Sequence, residues 1–275
     1  MTDIQTTENE LVYLYCVTDK EPGLEEARSL VDNLYFVFHK GLYAVAGKVE
    51  KSEFGEQNLK RNLADLEWVK TKASMHEKTI EGVMINACVI PFKFGTLFNT
   101  EDSLKAMLEE HAEEFKAILI KLENKGEWGV KIYCNIERLK ASFVNNEPEI
   151  LEIEYEINSS SAGKAYLLKK KRGELIKRML NKKINKCGED SYELLKELSF
   201  EACINKLLPR EVTEREDEMV LNSGFLVGND EVGDFINIVD TLKMYYESEG
   251  FLIDCTGPWP PYNFCGLLKE RVQSG

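Results

Sequence analysis

Apolar residues along this chain switch repeatedly between short continuous or alternating runs, which suit strands, and a spacing of three to four, which suits helices. That switching, more than any single motif, restricts the chain to a mixed α+β fold. Leu11 to Val17 is a run rich in Val, Tyr and Leu and predicts a first strand. Leu24, Ala27, Leu30 and Val31 fall at helical spacing between Gly23 and Asn33. Leu34 to Phe38 and Leu42 to Val49 are β-type runs around His39-Lys40-Gly41, the pattern of a hairpin. From Leu59 the stripe Leu63, Leu66, Val69, Ala73, His76 and Ile80 predicts one continuous helix, ended by Gly82. Val83 to Ile90 then predicts a buried strand closed by Pro91. After an aromatic loop, Pro91 to Phe98, Thr100 is a good N-cap, with Glu101 and Asp102 placed against the helix dipole. Leu104, Leu108, His111, Phe115, Leu119 and Leu122 form the stripe of the helix it opens.

The second half starts with a strand at Trp128 to Cys134. Asn145 to Gly163, with Pro148 and three consecutive serines, reads as loop. A helix from about Ala162 to Lys186 is expected to break at Gly188. Phe200 to Leu208 and Glu218 to Val227 predict strands, and Asp230 caps a helix whose stripe runs from Val232 to Tyr246. Phe251 to Cys255 predicts a last strand, and the proline-rich Gly257 to Phe264 predicts an irregular tail. Read as β-α-β-β-α-β, this half has a ferredoxin-like order with an insertion. The boundary falls near Gly126, giving an N-terminal α+β domain, 1–125, and a C-terminal ferredoxin-like domain, 126–275.

A chain of 275 residues can bury a core without disulfides or metals. None of its apolar runs approaches the roughly 18–20 residues that span a bilayer. The polar start, Met1 to Glu10, has neither the basic nor the apolar region of a signal peptide, so a cytoplasmic protein with no membrane partner is expected. A net charge of −13 argues against nucleic acid, which needs basic residues to displace counterions. The one basic block, Lys169 to Arg172 with Lys177, Arg178, Lys182 and Lys183, reads as a solvated helix face, because Leu168, Leu175, Ile176 and Met179 line the other side. Seven widely spread cysteines include no C-x-x-C pair and are expected to be reduced.

Catalytic and metal chemistry finds little to stand on. There are three histidines; His76 and His111 lie on apolar stripes and read as core histidines, and His39 lies in a turn. His76-Glu77 begins like a zinc-protease motif but Ile80 stands where the second histidine would be. Gly41 to Lys48 has five residues between its glycines and Val49 after the lysine, so it is not a phosphate loop. The acidic pairs, such as Glu109-Glu110 and Glu113-Glu114, sit on solvated faces. No catalytic residue, cofactor or metal is assigned.

What stands out is three aromatic segments marked by Gly or Pro: Pro91 to Phe98, Glu127-Trp128-Gly129, and Gly257 to Phe264. Either they plug an interface between the domains, or they form a partner surface, since aromatics in rigid turns anchor interfaces at low entropy cost. The second reading names Phe92, Phe94, Phe98, Trp128, Trp259, Tyr262 and Phe264 as partner-binding candidates. These segments, with Tyr13-Leu14-Tyr15-Cys16-Val17, His76-Glu77, Gly163 to Leu167, Met219 to Asn222 and Phe225-Leu226-Val227, resemble the gas vesicle protein F/L family nearly end to end. Gly257-Pro258-Trp259-Pro260-Pro261-Tyr262 is the most specific of them; Cys16 and Lys93 depart from the pattern, where Gly and Arg are expected. The resemblance implies two α+β domains, the second a modified ferredoxin fold, and no catalytic activity. It also implies an accessory or minor structural role in gas vesicle formation, at the gas vesicle. The expected partners are the hydrophobic main shell protein and other gas vesicle accessory proteins. The competing class is a ligand-binding ferredoxin-like regulator or an enzyme, for which converging polar groups would be required.

Overall fold

The computed structural model describes residues 9–28, 31 and 33–266. Most of the polar start (residues 1–8) and Leu30 of the first expected helix lie outside those residues. The chain divides into two compact units, Met1–Gly126 with Trp259–Gly275, and Glu127–Pro258. The second domain expected from the sequence runs on through the tail, whereas here Trp259–Gly275 groups with the first unit.

The first unit is built on β1 (Glu10–Thr18), almost wholly buried, as its unbroken apolar run requires. After β1 come α1 (Glu25–Arg28) and β2 (Leu34–His39). β3 (Leu42–Glu50) is antiparallel to both β1 and β2. His39 pairs with Leu42, so Lys40 and Gly41 alone turn the hairpin. Both have positive φ, 54° and 79°, as a two-residue turn matched to strand twist demands.

α2 (Lys51–Phe54), α3 (Glu56–Asn62) and α4 (Leu66–Met84) follow. The single helix expected from Leu59 is therefore split. Asp65 starts a new one, its carboxylate accepting from the Glu67 and Trp68 amides at 3.0 and 3.2 Å. α4 also runs past Gly82 into the expected strand, because Thr79, Ile80, Gly82 and Val83 bury a helical face. Only β4 (Ile90–Pro91) and β5 (Leu97–Phe98) join the sheet, both antiparallel to β1, giving the order β2-β3-β1-β4. Thr100 caps α5 (Glu101–Glu110) in a reciprocal pair with Ser103. Non-helical backbone at His111 separates α5 from α6 (Ala112–Leu122), where the stripe alone predicts one helix.

The second unit takes up β6 (Lys125–Cys134) from Glu127 onward, followed by α7 (Ile136–Val144). The expected loop is instead α8 (Pro148–Ser159): Pro148 suits the first helical turn, and Ile150 and Ile153 are buried with Ile157 packed beside them. α9 (Ala162–Glu197) passes Gly188 unbroken, since that residue is buried beneath the Val220 carbonyl and the helix's own packing overrides its low propensity. β7 (Glu201–Ile204), α10 (Arg210–Thr213), β8 (Glu218–Gly228), α11 (Val232–Glu247) and β9 (Phe251–Trp259) complete it. The sheet order is β7-β8-β6-β9. β9 thus extends into the expected irregular tail. It can do so because it is an edge strand, where Pro258 leaves no interior ladder position unfilled. Val130, Ile132, Phe225, Val227, Phe235 and Val239 lie at the heart of this unit's core.

Candidate functional site

The motif segments of the first unit converge on His76, a buried residue of α4. Its Nε2 lies 3.0 Å from the Phe92 carbonyl oxygen and 3.2 Å from the Tyr262 hydroxyl. A carbonyl only accepts, so Nε2 carries the proton and Nδ1 is the lone-pair nitrogen. The Tyr13 hydroxyl, 3.0 Å away, then donates to Nδ1 and accepts from the Gly95 amide at 3.0 Å. The Tyr262 hydroxyl in turn donates to Glu77 Oε1 at 3.0 Å. Every polar atom in the chain of contacts has a partner of the right kind. Gly95 takes φ +82°, which a residue with a Cβ adopts only under strain, and that turn aims its N–H at Tyr13. The ring of Tyr15 stacks on His76 at 5.5 Å, and Phe94 meets it edge-on at 5.9 Å.

The electrostatics follow from enclosure. Burial holds the His76 pKa down to about 4, against the pull of its Phe92 hydrogen bond, so the ring is neutral. Burial also raises the Glu77 carboxyl and the hydroxyls of Tyr13 and Tyr262, and lifts Tyr15 to about 12. A neutral histidine committed on both nitrogens has no free lone pair with which to act as a base. Burial also pushes the Cys134 and Cys187 thiols up to about 12 and those of Cys88 and Cys255 to about 11, which disfavours their thiolate forms. Among the described residues, no group of three or more His, Cys, Asp or Glu side chains could hold a metal ion. Nor is any helix among them long and apolar enough to cross a membrane.

The aromatic candidates part into classes by exposure. Phe92 and Phe264 are core residues, 3% and 1% exposed, and Phe92 meets Phe115 edge-on at 6.0 Å. Phe94 and Phe98 are half-buried, with Phe94 against Trp68 and Phe98 paired with Val12 across β5 and β1. Tyr262 is half-buried and engaged with His76 and Glu77. In the second unit, Trp128 is half-buried, 6.5 Å from Phe235, and lies so close to Gly257 that a Cβ there would sit 3.1 Å from its ring. Trp259 is 42% exposed at the end of β9. His111 Nδ1 and His39 Nε2 lie within hydrogen-bond distance of the Glu114 and Glu109 carboxylates, at 3.2 and 3.3 Å.

The sequence places His76 in the core but gives no sign of its partners, which lie 63 and 186 positions away. A clue was available in retrospect. Tyr13, His76-Glu77, Gly95 and Tyr262 all stand in the segments that carry the family resemblance.

The sequence model of the family described as gas vesicle synthesis protein GvpL/GvpF matches residues 11–266. Gas vesicle protein L of a Streptomyces species is 25% identical over 276 residues, covering 95% of this chain and 95% of that protein. Gas vesicle protein L1 of Halobacterium salinarum is 26% identical over 261 residues, covering 92% and 89%. The crystal structure of the gas vesicle protein GvpF from an Anabaena species superposes with a TM-score of 0.65 at 16% identity, covering 94% of this chain and 97% of that one.

Proposed function

Because the chain belongs to the gas vesicle synthesis protein GvpL/GvpF family, with a role in gas vesicle formation, we propose that it is a non-enzymatic accessory or minor structural protein that contacts the hydrophobic main shell protein during assembly. The match over residues 11–266 carries this reading, since it takes in both units and all three aromatic segments. The fully committed, neutral His76 supports the absence of catalysis, as do the raised thiols of Cys88, Cys134, Cys187 and Cys255. In the same reading the two units are domains, and the second is a modified ferredoxin-like fold. Its strand order β7-β8-β6-β9 supports this, with α7 to α9 between its first two strands and α11 between its last two.

The contact surface centres on Trp259 and the half-buried rim Phe94 to Phe98. An apolar shell subunit aggregates before assembly unless its surface or strand edge is covered. An aromatic side chain exposed on an edge strand suits that task, by docking into a pocket or lying along an added strand. The −13 net charge keeps such a complex in solution, and the association with other accessory proteins and with the vesicle follows from the same role. The test is a pull-down of purified main shell protein by this chain and by its Trp259→Ala and Phe94→Ala variants. Weaker capture by folded variants is expected; capture equal to the parent's removes this surface. Deleting the gene and still harvesting normal buoyant vesicles removes the function.

A further inference from the structure

In the second unit, α8 and α9 form an antiparallel hairpin, as their ion pairs Glu156–Lys164, Glu154–Arg172 and Glu149–Arg178 show by running in opposite numerical order. The end of this hairpin exposes four large apolar side chains within seventeen residues: Leu151 45%, Tyr155 77%, Tyr166 72% and Leu167 65%. The helices also carry opposite charge. α8 has Glu149, Glu152, Glu154 and Glu156 and no basic residue, while the facing part of α9 holds the block Lys169-Lys170-Lys171-Arg172.

Within the chain this complementarity is incomplete. Glu152 and Lys169 to Lys171 make no ion pair among the described residues, although the register of the three observed pairs sets them within about one and a half helical turns of each other along the hairpin. Helical spacing explains why. Ile150, Ile153 and Ile157 turn one face of α8 inward, so Leu151 with Tyr155 and Glu152 with Glu156 form two adjacent outward rows. On α9, Ala165, Leu168, Arg172 and Leu175 turn inward, so Tyr166 with Lys170 and Leu167 with Lys171 face out.

We propose that this hairpin is a self-association surface and that its occupant is the same hairpin of a second copy of this chain. A two-fold axis along the hairpin sets α8 of one copy antiparallel to α9 of the other. That brings Glu152 to the lysine block of the second copy, and Leu151 and Tyr155 to its Tyr166 and Leu167. Closed two-fold pairing of this kind makes every contact twice. It removes from water the apolar side chains that a soluble monomer leaves exposed. The inference is independent of the gas vesicle role, because it is read on the purified chain alone.

Sedimentation velocity of the full chain across micromolar concentrations tests it. The parent is expected to dimerise at low ionic strength and to dissociate as salt rises. Lys170→Glu is expected to shift dimer to monomer by tenfold or more in dissociation constant, and adding Glu152→Lys to that variant is expected to restore the dimer. Tyr155→Ser with Tyr166→Ser is expected to weaken it at unchanged circular dichroism. A parent that is monomeric throughout overturns the proposal. So does a dimer indifferent to these changes, or a charge swap that fails to restore association while the swapped chain keeps the parent's spectrum.

Discussion

His76 illustrates how a single side chain ties stability to pH. The unfolded chain binds this proton near 6.5 and the folded one only near 4, because burial disfavours the imidazolium. Stability is therefore full above 6.5 and falls as pH drops toward 4, by on the order of 3 kcal/mol. Glu77 works in the opposite sense, since its raised carboxyl takes up a proton in the folded state first, and it offsets part of that loss. Comparison with His76→Gln, which keeps one donor and one acceptor, isolates the histidine. Thermal midpoints recorded between about pH 7 and pH 4 should fall less steeply for the variant, and parallel curves would show that His76 does not couple folding to pH. At this scale the sequence is informative about burial, because a histidine on an apolar stripe is read from spacing. Its partners are not legible, since hydrogen bonds between Tyr13, His76 and Tyr262 leave no local period.

Among the elements, those with long stripes or strong caps were the most legible. Thr100 opens α5 and β1 to β3 form at the expected places, whereas the cap expected at Asp230 does not form: Glu231 is the residue before α11 and its side chain makes no cap bond. Short apolar runs misled, because a run such as Val83 to Ile90 has too few residues to separate a strand from the end of a buried helix. Glycine misled as well. At Gly188 packing wins over propensity, whereas Gly82 sits at a close approach: a Cβ there would stand 3.2 Å from the Ala27 nitrogen and 3.3 Å from its Cα, both atoms of α1. Gly82→Ala should accordingly destabilise the chain by forcing α1 away from α4. Gly173, exposed on α9 with nothing within 4 Å of an added Cβ, should do the reverse. Gly173→Ala is expected to stabilise by roughly 0.5–1 kcal/mol through helix propensity. Urea titration of the two variants decides it: a stabilising Gly82→Ala or a destabilising Gly173→Ala would contradict the packing described.

For the whole molecule, the notable connection is that the last described residues return to the unit that begins the chain. Phe264 is buried and Tyr262 reaches His76, so the tail completes the first unit's core. Phe264→Ala should cost about 3–5 kcal/mol, the usual range for emptying a buried phenylalanine site. Hydrogen exchange followed by mass spectrometry should show the lost protection in β1, β3 and α4, with the β6 and β8 sheet unaffected; uniform loss across both units would refute the assignment of the tail. The sequence by itself determined the α+β class, the strands that flank the first hairpin, the burial of His76 and the family, because these depend on periodicity, caps and runs of specific residues. Tertiary structure alone decided where the tail docks, which of the seven aromatics reach solvent, and that α8 is helix rather than loop. Each of those depends on what lies opposite a segment in space, and a contact across many residues leaves no trace in the spacing of either side.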